Sequence, residues 1–317
     1  MREIMYIGTY DDKILISGFE NGKLEIINEV NGIQNPSYLH INKDVLYSVS
    51  ETEQGGLQVF KIQNNELDLI NFEILNQRLP CHLITDLNRN YLLVSNYGSG
   101  SVLMYNLNRD GSIDKSVNKI QYDNAHMHYS EFIGENIYTT DLGNDVIYIF
   151  DNNLKLLSKI YTGKGSGPRH LIVMEKLKRI IVVTEISNEI LIYEKQNNEF
   201  RLIQKLLTLD KQTSQSYAGA IKISKNGKNI YVTNRGENTI SVFKENHKKY
   251  ELIQNISCFG DFPRDITLNK TEEYVVVANQ KSNNVIVFKR DKESGMLTKI
   301  DGEELIVEKP SCIIIKD

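Results

Sequence analysis

Nine consecutive residues, GKGSGPRHL (163–171), set a proline, an arginine and a histidine directly behind a glycine-rich turn. Arg169 carries the planar fork of donors that grips carboxylate and phosphate oxygens. His170 is the residue type whose ordinary pKa, about 6.5, lies nearest neutrality. The same kinds of residue recur at His82 in PCHL (80–83), His126 and His128 in AHMH (125–128), and Arg264 with Asp265 in PRDI (263–266). Four of the chain's six histidines fall in these segments, which marks them as one functional group. A second group, Glu51, Asn96, Asp141, Glu185, Arg235 and Asn279, closes runs of β-branched and aromatic residues. Between them the two groups hold what acid–base chemistry on a small anion needs: histidines to move protons, a carboxylate to orient them, and arginines to face negative charge. His126 and His128 in an extended chain would share a face, which also makes a workable pair of metal ligands, with Asp141 or Glu185 adding a carboxylate. Acid–base use of the same histidines needs no ion, so no metal and no cofactor is expected. Structural roles stand beside the chemical ones. His82 could be a packed residue bonded to neighbouring backbone, the arginines could tie strands together, and Asn96 and Asn279 suit turns at NYGSG (96–100) and NQKSN (279–283).

Several function classes drop out. The glycine-rich GSGS (98–101) and GKGSG (163–167) lack the lysine–hydroxyl ending and the strand–helix setting of a phosphate loop, and no dinucleotide fingerprint or nucleophile elbow occurs. The formal net charge of −4 supplies no broad positive field for nucleic acid. Cys81, Cys258 and Cys312 are far apart, form no CxxC pair and are odd in number, which argues against a disulfide framework. The start, MREIMYIGTY, reads as a strand and no long apolar run follows it, so neither a secretion signal nor a membrane span is expected, and the cytoplasm is the default location.

The elements that must position these residues repeat. Segments starting at 36, 80, 125, 168, 218, 263 and 310 begin PSYL, PCHL, AHMH, PRHL, AGAI, PRDI and PSCI, and a period of this size marks a solenoid or propeller. Each is followed by short apolar runs separated by Asn, Gly and Asp turns, as in NYLLVSN then SVLMYNL (90–107), the signature of consecutive antiparallel strands. The last repeat stops after PSCIIIK, a first strand alone, whereas the chain opens with EIMYIGTY, KILISGFE and KLEIINEV, which are second, third and fourth strands. Joining the ends completes a blade and removes an exposed sheet edge. The expected fold is all-β: a seven-bladed β-propeller of four-stranded antiparallel blades over residues 1–317, its closing blade made of three N-terminal strands and one C-terminal strand. First strands would line the central channel, bringing both groups of residues to one mouth.

In this order, YIGTY (6–10), NPSYL (35–39), PCHL with NYLLVSNYGSGSV (80–102), HMHY (126–129) with DLGND (141–145), GSGPRH (165–170), TE (184–185), NRGENTISVF (234–243), PRDI (263–266) and ANQKSNNVIVF (278–288) resemble the propeller-type lactonase family, which includes bacterial 6-phosphogluconolactonases and fungal carboxymuconate cyclases. The resemblance covers almost the whole chain. It implies a seven-bladed propeller with its pocket at the channel mouth, and a functional set of His126, Arg169, Glu185 and Arg235. The chain departs from the family where an AAEIH-like run is usual: AGAIK (218–222) replaces the acid by Ala220 and the histidine by Lys222. The expected activity is hydrolysis of a sugar lactone, 6-phospho-D-glucono-1,5-lactone first. His126, His128, Arg169, Glu185 and Arg235 would be catalytic, and His82, His170, Arg264, Asp141 and Lys222 would contact substrate. The partner would be a small anionic lactone, with no nucleic acid and no membrane. A carboxymuconate-type cycloisomerase and a non-catalytic binding propeller are the alternatives.

Overall fold

Val45–Ser50 and Arg179–Thr184 have every residue buried. A strand buried on both faces needs a layer on each side, which a lone sheet on solvent cannot supply. Outermost strands such as Glu199–Leu207 instead alternate between exposed and half-buried residues, with one face toward water. The computed structural model, which describes residues 2–88, 90–197, 199–210 and 215–316, resolves this demand as seven four-stranded antiparallel sheets. Six follow the chain: Leu39–Ile74, Pro80–Gln121, Met127–Tyr161, Pro168–Leu207, Tyr217–Ser257 and Pro263–Ile306, numbered here as the first to sixth blades. In the seventh, the C-terminal strand Pro310–Ile315 pairs with Glu3–Thr9, and Lys13–Glu20 and Lys23–Asn31 complete it. The seven-bladed propeller and its shared closing blade are therefore as the repeats require.

The core lies between blades. Seven apolar clusters form, one at each interface; Val45, Tyr47 and Val49 of the first blade pack on Leu83, Leu92 and Val94 of the second. Burying an aliphatic side chain of this size stabilises by about 1.5–3 kcal/mol, so the ring is held by side-to-side packing. Tyrosines add a recurrent polar tie: Tyr47 and Tyr231 each donate to a carbonyl of the next blade, Gly111 and Gly295, at 2.9 Å.

One irregularity repeats around the channel. Six innermost strands shift register by one residue just inside their start, between Pro80 and His82, Met127 and Tyr129, Pro168 and His170, Ala218 and Ile221, Pro263 and Asp265, and opposite Gly8–Thr9 for Pro310 and Cys312. Such a bulge inserts an unpaired residue and re-aims its side chain. The inserted residues are Cys81, His128, Arg169, Arg264 and Ser311, with Gly219–Ala220 holding the extra residue of the fifth blade. Proline suits the preceding position because the first residue of a strand can do without an N–H. The register also corrects the alignment of the third repeat. Met127 faces Asp141 as Pro168 faces Thr184, so His128, and not His126, is the counterpart of Arg169. A slip of two residues leaves strand alternation unchanged, which is why the sequence pattern could not detect it.

Candidate active site

The bulges bring consecutive residues to the same side, which regular strands forbid. Arg169 Nη1 lies 3.0 Å from His170 Nε2, and the rings of His128 and Tyr129 both meet that of His170, with centroids 5.2 and 5.1 Å away. The mouth is built in tiers. At the rim stand Tyr10, Glu51, Tyr97, Glu185, Arg235 and Gln280, each at or just beyond the end of a second strand. Below them come the bulge residues. Beneath those, Tyr38, His82, Tyr129 and His170 make a chain of touching rings with successive centroid distances of 4.5, 4.1 and 5.1 Å. A narrow cleft opens over this floor, lined by Glu51, His128, Arg169, His170, Arg264 and Asp265 among others.

The charges of the mouth converge on Glu185. Arg169 Nε lies 3.1 Å and Arg235 Nη2 2.6 Å from its Oε2, so two guanidiniums share one oxygen of one carboxylate. Both arginines are buried. Burial alone would push the Glu185 carboxyl up, but the charges of Arg235 and Arg169 outweigh it and hold it below the usual carboxylate range. Burial and the repulsion of Arg235 draw Arg169 down to about 10, still protonated at neutral pH. Arg235 also donates to the carbonyls of Tyr217 and Ala218, at 3.2 and 2.9 Å. Its guanidinium sits over the Phe262 ring 5.3 Å from the centroid, and Lys281 approaches the same ring at 4.1 Å. Arg264 packs over the Tyr10 ring at 4.6 Å, donates to the Tyr10 hydroxyl, and lies 4.0 Å from Glu51 Oε2.

The histidines divide by environment. Burial, followed by the charge of Arg169, holds His128 and His170 well below the ordinary histidine range, so both are neutral at physiological pH rather than poised near it. His128 Nδ1 is buried in the cleft wall with no hydrogen-bond partner. His126 lies in the turn before its strand, stacked on Tyr97 at 4.4 Å with Nδ1 3.0 Å from the Tyr97 carbonyl. A carbonyl only accepts, so Nδ1 carries a proton, and in the neutral ring Nε2 is then the acceptor. Burial, followed by the charge of Glu185, raises the Tyr97 hydroxyl above its ordinary range, and the Tyr97 ring carries His126.

Other residues singled out in the sequence lie elsewhere. Asp141 is fully buried, and its carboxylate accepts the N–H groups of His126, Gly143 and Asn144 at 2.8, 3.0 and 3.2 Å. It positions the His126 backbone and has no face toward a ligand. His82, 1% exposed, is sandwiched between Tyr38 and Tyr129 and accepts the Ser130 N–H, so it is the packed residue of the two readings. Lys222 sits four residues along its strand from Ala218, deeper than the ring floor, where it acts on Glu131 as well as on His82 and His170. It is thus set apart from Arg264. The amides of Asn96 and Asn279 bond backbone carbonyls. In the 163–167 turn the Gly165 and Gly167 N–H groups point at the Asp145 carboxylate, at 2.6 and 2.8 Å, so the anion that this turn binds belongs to the protein itself. Gly167, with φ of +62°, then returns its carbonyl to the Glu185 N–H at 2.7 Å, which links the turn to the residue that the two arginines share. Among the described residues no group of three His, Cys, Asp or Glu side chains could hold a metal ion. Tyr10, Tyr97 and Ser37 were missed. A search for the residue at or just after the end of each second strand would have found both tyrosines, beside Glu51, Glu185 and Arg235.

Residues 4–315 match the family model described as Lactonase, 7-bladed beta-propeller. A 6-phosphogluconolactonase of Bacillus subtilis (strain 168) is 33% identical over 307 aligned positions, covering 88% of this chain and 86% of that one. A 6-phosphogluconolactonase of Formosa agariphila is 30% identical over 347 aligned positions, covering 98% of each. The crystal structure of a protein from Lactobacillus plantarum superposes with a TM-score of 0.93 at 28% identity over the full length of both chains. The periplasmic gluconolactonase of Pseudomonas aeruginosa shares the fold, with a TM-score of 0.91 at 23% identity over 99% of each.

Proposed function

The chain belongs to the seven-bladed β-propeller lactonase family, and from that premise we propose that it hydrolyses a sugar lactone, 6-phospho-D-glucono-1,5-lactone in particular, at the corner formed by His126, Arg169, Glu185 and Arg235. The observation that carries this reading is the pair of buried guanidiniums sharing a single carboxylate oxygen. That corner has an excess of positive charge, and both of its guanidiniums are buried.

Hydrolysis forms a bond from a water oxygen to C1 and breaks the bond from C1 to the ring oxygen. His126 Nε2 takes the water proton, its tautomer set by the Tyr97 carbonyl. Arg169 faces the carbonyl oxygen as negative charge grows there, where one preorganised donor contributes about 2.7–4 kcal/mol. Glu185 holds both arginines in place. The imidazolium then returns its proton to the departing ring oxygen, and the product is the open-chain hydroxy acid. The phosphate lies toward the rim at Arg235 and Lys281, which share the Phe262 ring. The three cysteines are unpaired and buried, which suits a reducing compartment, and we place the protein in the cytoplasm. No helix among the described residues is long and apolar enough to cross a membrane.

The test is hydrolysis of freshly generated 6-phosphogluconolactone at slightly acidic pH, where the spontaneous reaction is slow. Wild type should turn over rapidly, and His126→Ala, Arg169→Ala and Glu185→Ala should not, while circular dichroism shows them folded. A wild-type rate equal to background overturns the reading.

A further inference from the structure

Across the mouth from Glu185 lies a second carboxylate. Glu51 in the first blade and Glu185 in the fourth each follow the last residue of a second strand, three blades apart in a ring of seven. Glu51 lines the same cleft as Arg169 and His128. Its surroundings differ from those of Glu185 in a way that matters. Glu185 is shared by two arginines, whereas Glu51 Oε2 accepts the hydroxyls of Tyr10 and Ser37, both at 2.5 Å, with Arg264 at 4.0 Å. All three of these contacts converge on Oε2, and the side chain is 14% exposed. A carboxylate only accepts, and Glu51 lines the cleft, so it can take a further donor from a ligand held there.

We propose that Glu51, held by Tyr10 and Ser37, is the hydroxyl-reading subsite of this pocket and selects polyhydroxylated lactones. The proposal rests on the lactonase reading above and deepens it. The chemistry of the ligand matches the two poles. In a 1,5-lactone of a hexose acid, the carbonyl at C1 and the phosphate-bearing C6 flank the ring oxygen on one edge. The hydroxyls of C2 to C4 occupy the opposite edge. With the carbonyl oxygen on Arg169 and the phosphate toward Arg235, the hydroxylated edge is turned to the far wall, where Glu51 stands. A donor-bearing edge meets an acceptor-only group there. A substrate with a second carboxylate on that edge would instead meet like charge, which disfavours dicarboxylates in this pocket.

A site built to bond a substrate hydroxyl rejects the analogue that lacks it, because a buried polar group is left without its partner. The experiment compares kcat/KM for 6-phosphogluconolactone with that for its 2-deoxy and 3-deoxy analogues, in wild type, Glu51→Gln and Glu51→Asp. Wild type should prefer the parent lactone over at least one analogue by about thirtyfold or more. Glu51→Gln should lose activity on the parent but not on that analogue, which reduces the preference to about threefold or less, and Glu51→Asp should restore part of it. If Glu51→Gln does not fold, Ser37→Ala, which loosens the carboxylate, must narrow the same preference. A preference unchanged in folded Glu51→Gln overturns the subsite while leaving the lactonase intact. Wild type that hydrolyses none of these lactones overturns both.

Discussion

Lowering the pH from 7.5 to 5.5 should cost the folded chain several kcal/mol, and the cause is the buried histidines of the mouth. His82, His128 and His170 are 1%, 6% and 9% exposed, and burial, then neighbouring positive charge, holds all three well below the ordinary range. His40, deeper in the channel, is drawn down to about 4 by burial. In the unfolded chain each would titrate near 6.5. The folded pKa is the lower one, so below pH 6.5 the unfolded state binds protons that the folded state refuses, and stability falls as pH falls. Between pH 7.5 and 5.5 the linkage amounts to about 1.4 kcal/mol for each histidine, or about 4 kcal/mol for the three at the mouth. That is a large part of the 5–15 kcal/mol typical of a domain. Glu185 does not confuse the reading. Its carboxyl is held low, so its contribution is present at neutral pH and is lost only as pH falls below the ordinary carboxylate range and through its folded pKa. Glu131, raised chiefly by burial, acts in the opposite direction toward the acid end, so the slope is best taken near neutrality. The assay is urea unfolding at a series of pH values, followed by circular dichroism and tyrosine fluorescence, since the chain has 17 tyrosines and no tryptophan. His170→Asn should flatten the slope by one histidine's share. Equal stability at pH 7.5 and 5.5, or a slope that His170→Asn leaves unchanged, would refute the claim that these imidazoles are buried neutral.

Arg169→Lys keeps a charge but loses the fork that meets both Glu185 and substrate, and should lower kcat for the lactone by about 10²-fold, measured in a continuous hydrolysis assay. Glu185→Gln leaves two buried guanidiniums without their counter-charge and should destabilise by about 3–5 kcal/mol, read as a fall in urea midpoint at pH 7.5. Lys222→Met should leave kcat/KM within about twofold, because Lys222 lies beneath the ring floor and away from the rim arginines; a loss beyond tenfold would place the phosphate in the channel instead. Asp145→Asn weakens the hydrogen bonds to Gly165 and Gly167, and limited proteolysis should find the 163–167 turn cut faster, with KM raised more than kcat is lowered.

What the sequence determined by itself was whatever depends on period. Seven proline-led or small-residue starts, short apolar runs between turns and a chain whose ends complement one another leave few architectures open, because each blade's faces can be covered only by its neighbours. The residue types of the site were equally plain: Arg169, Glu185, Arg235 and Arg264 stood at matching points of their repeats. Tertiary structure decided which way each side chain faces and what charge it carries. A bulge adds one residue and leaves no mark in the pattern, yet it is what turns Arg169 and His170, and His128 and Tyr129, to the same side. Asp141 and Glu185 both looked like strand-end acids. They differ by one position in register, and that places one inside a turn and the other between two arginines. His128 and His170 looked poised near neutrality because sequence carries no burial, and only the closed ring, by removing them from water beside Arg169, made them neutral.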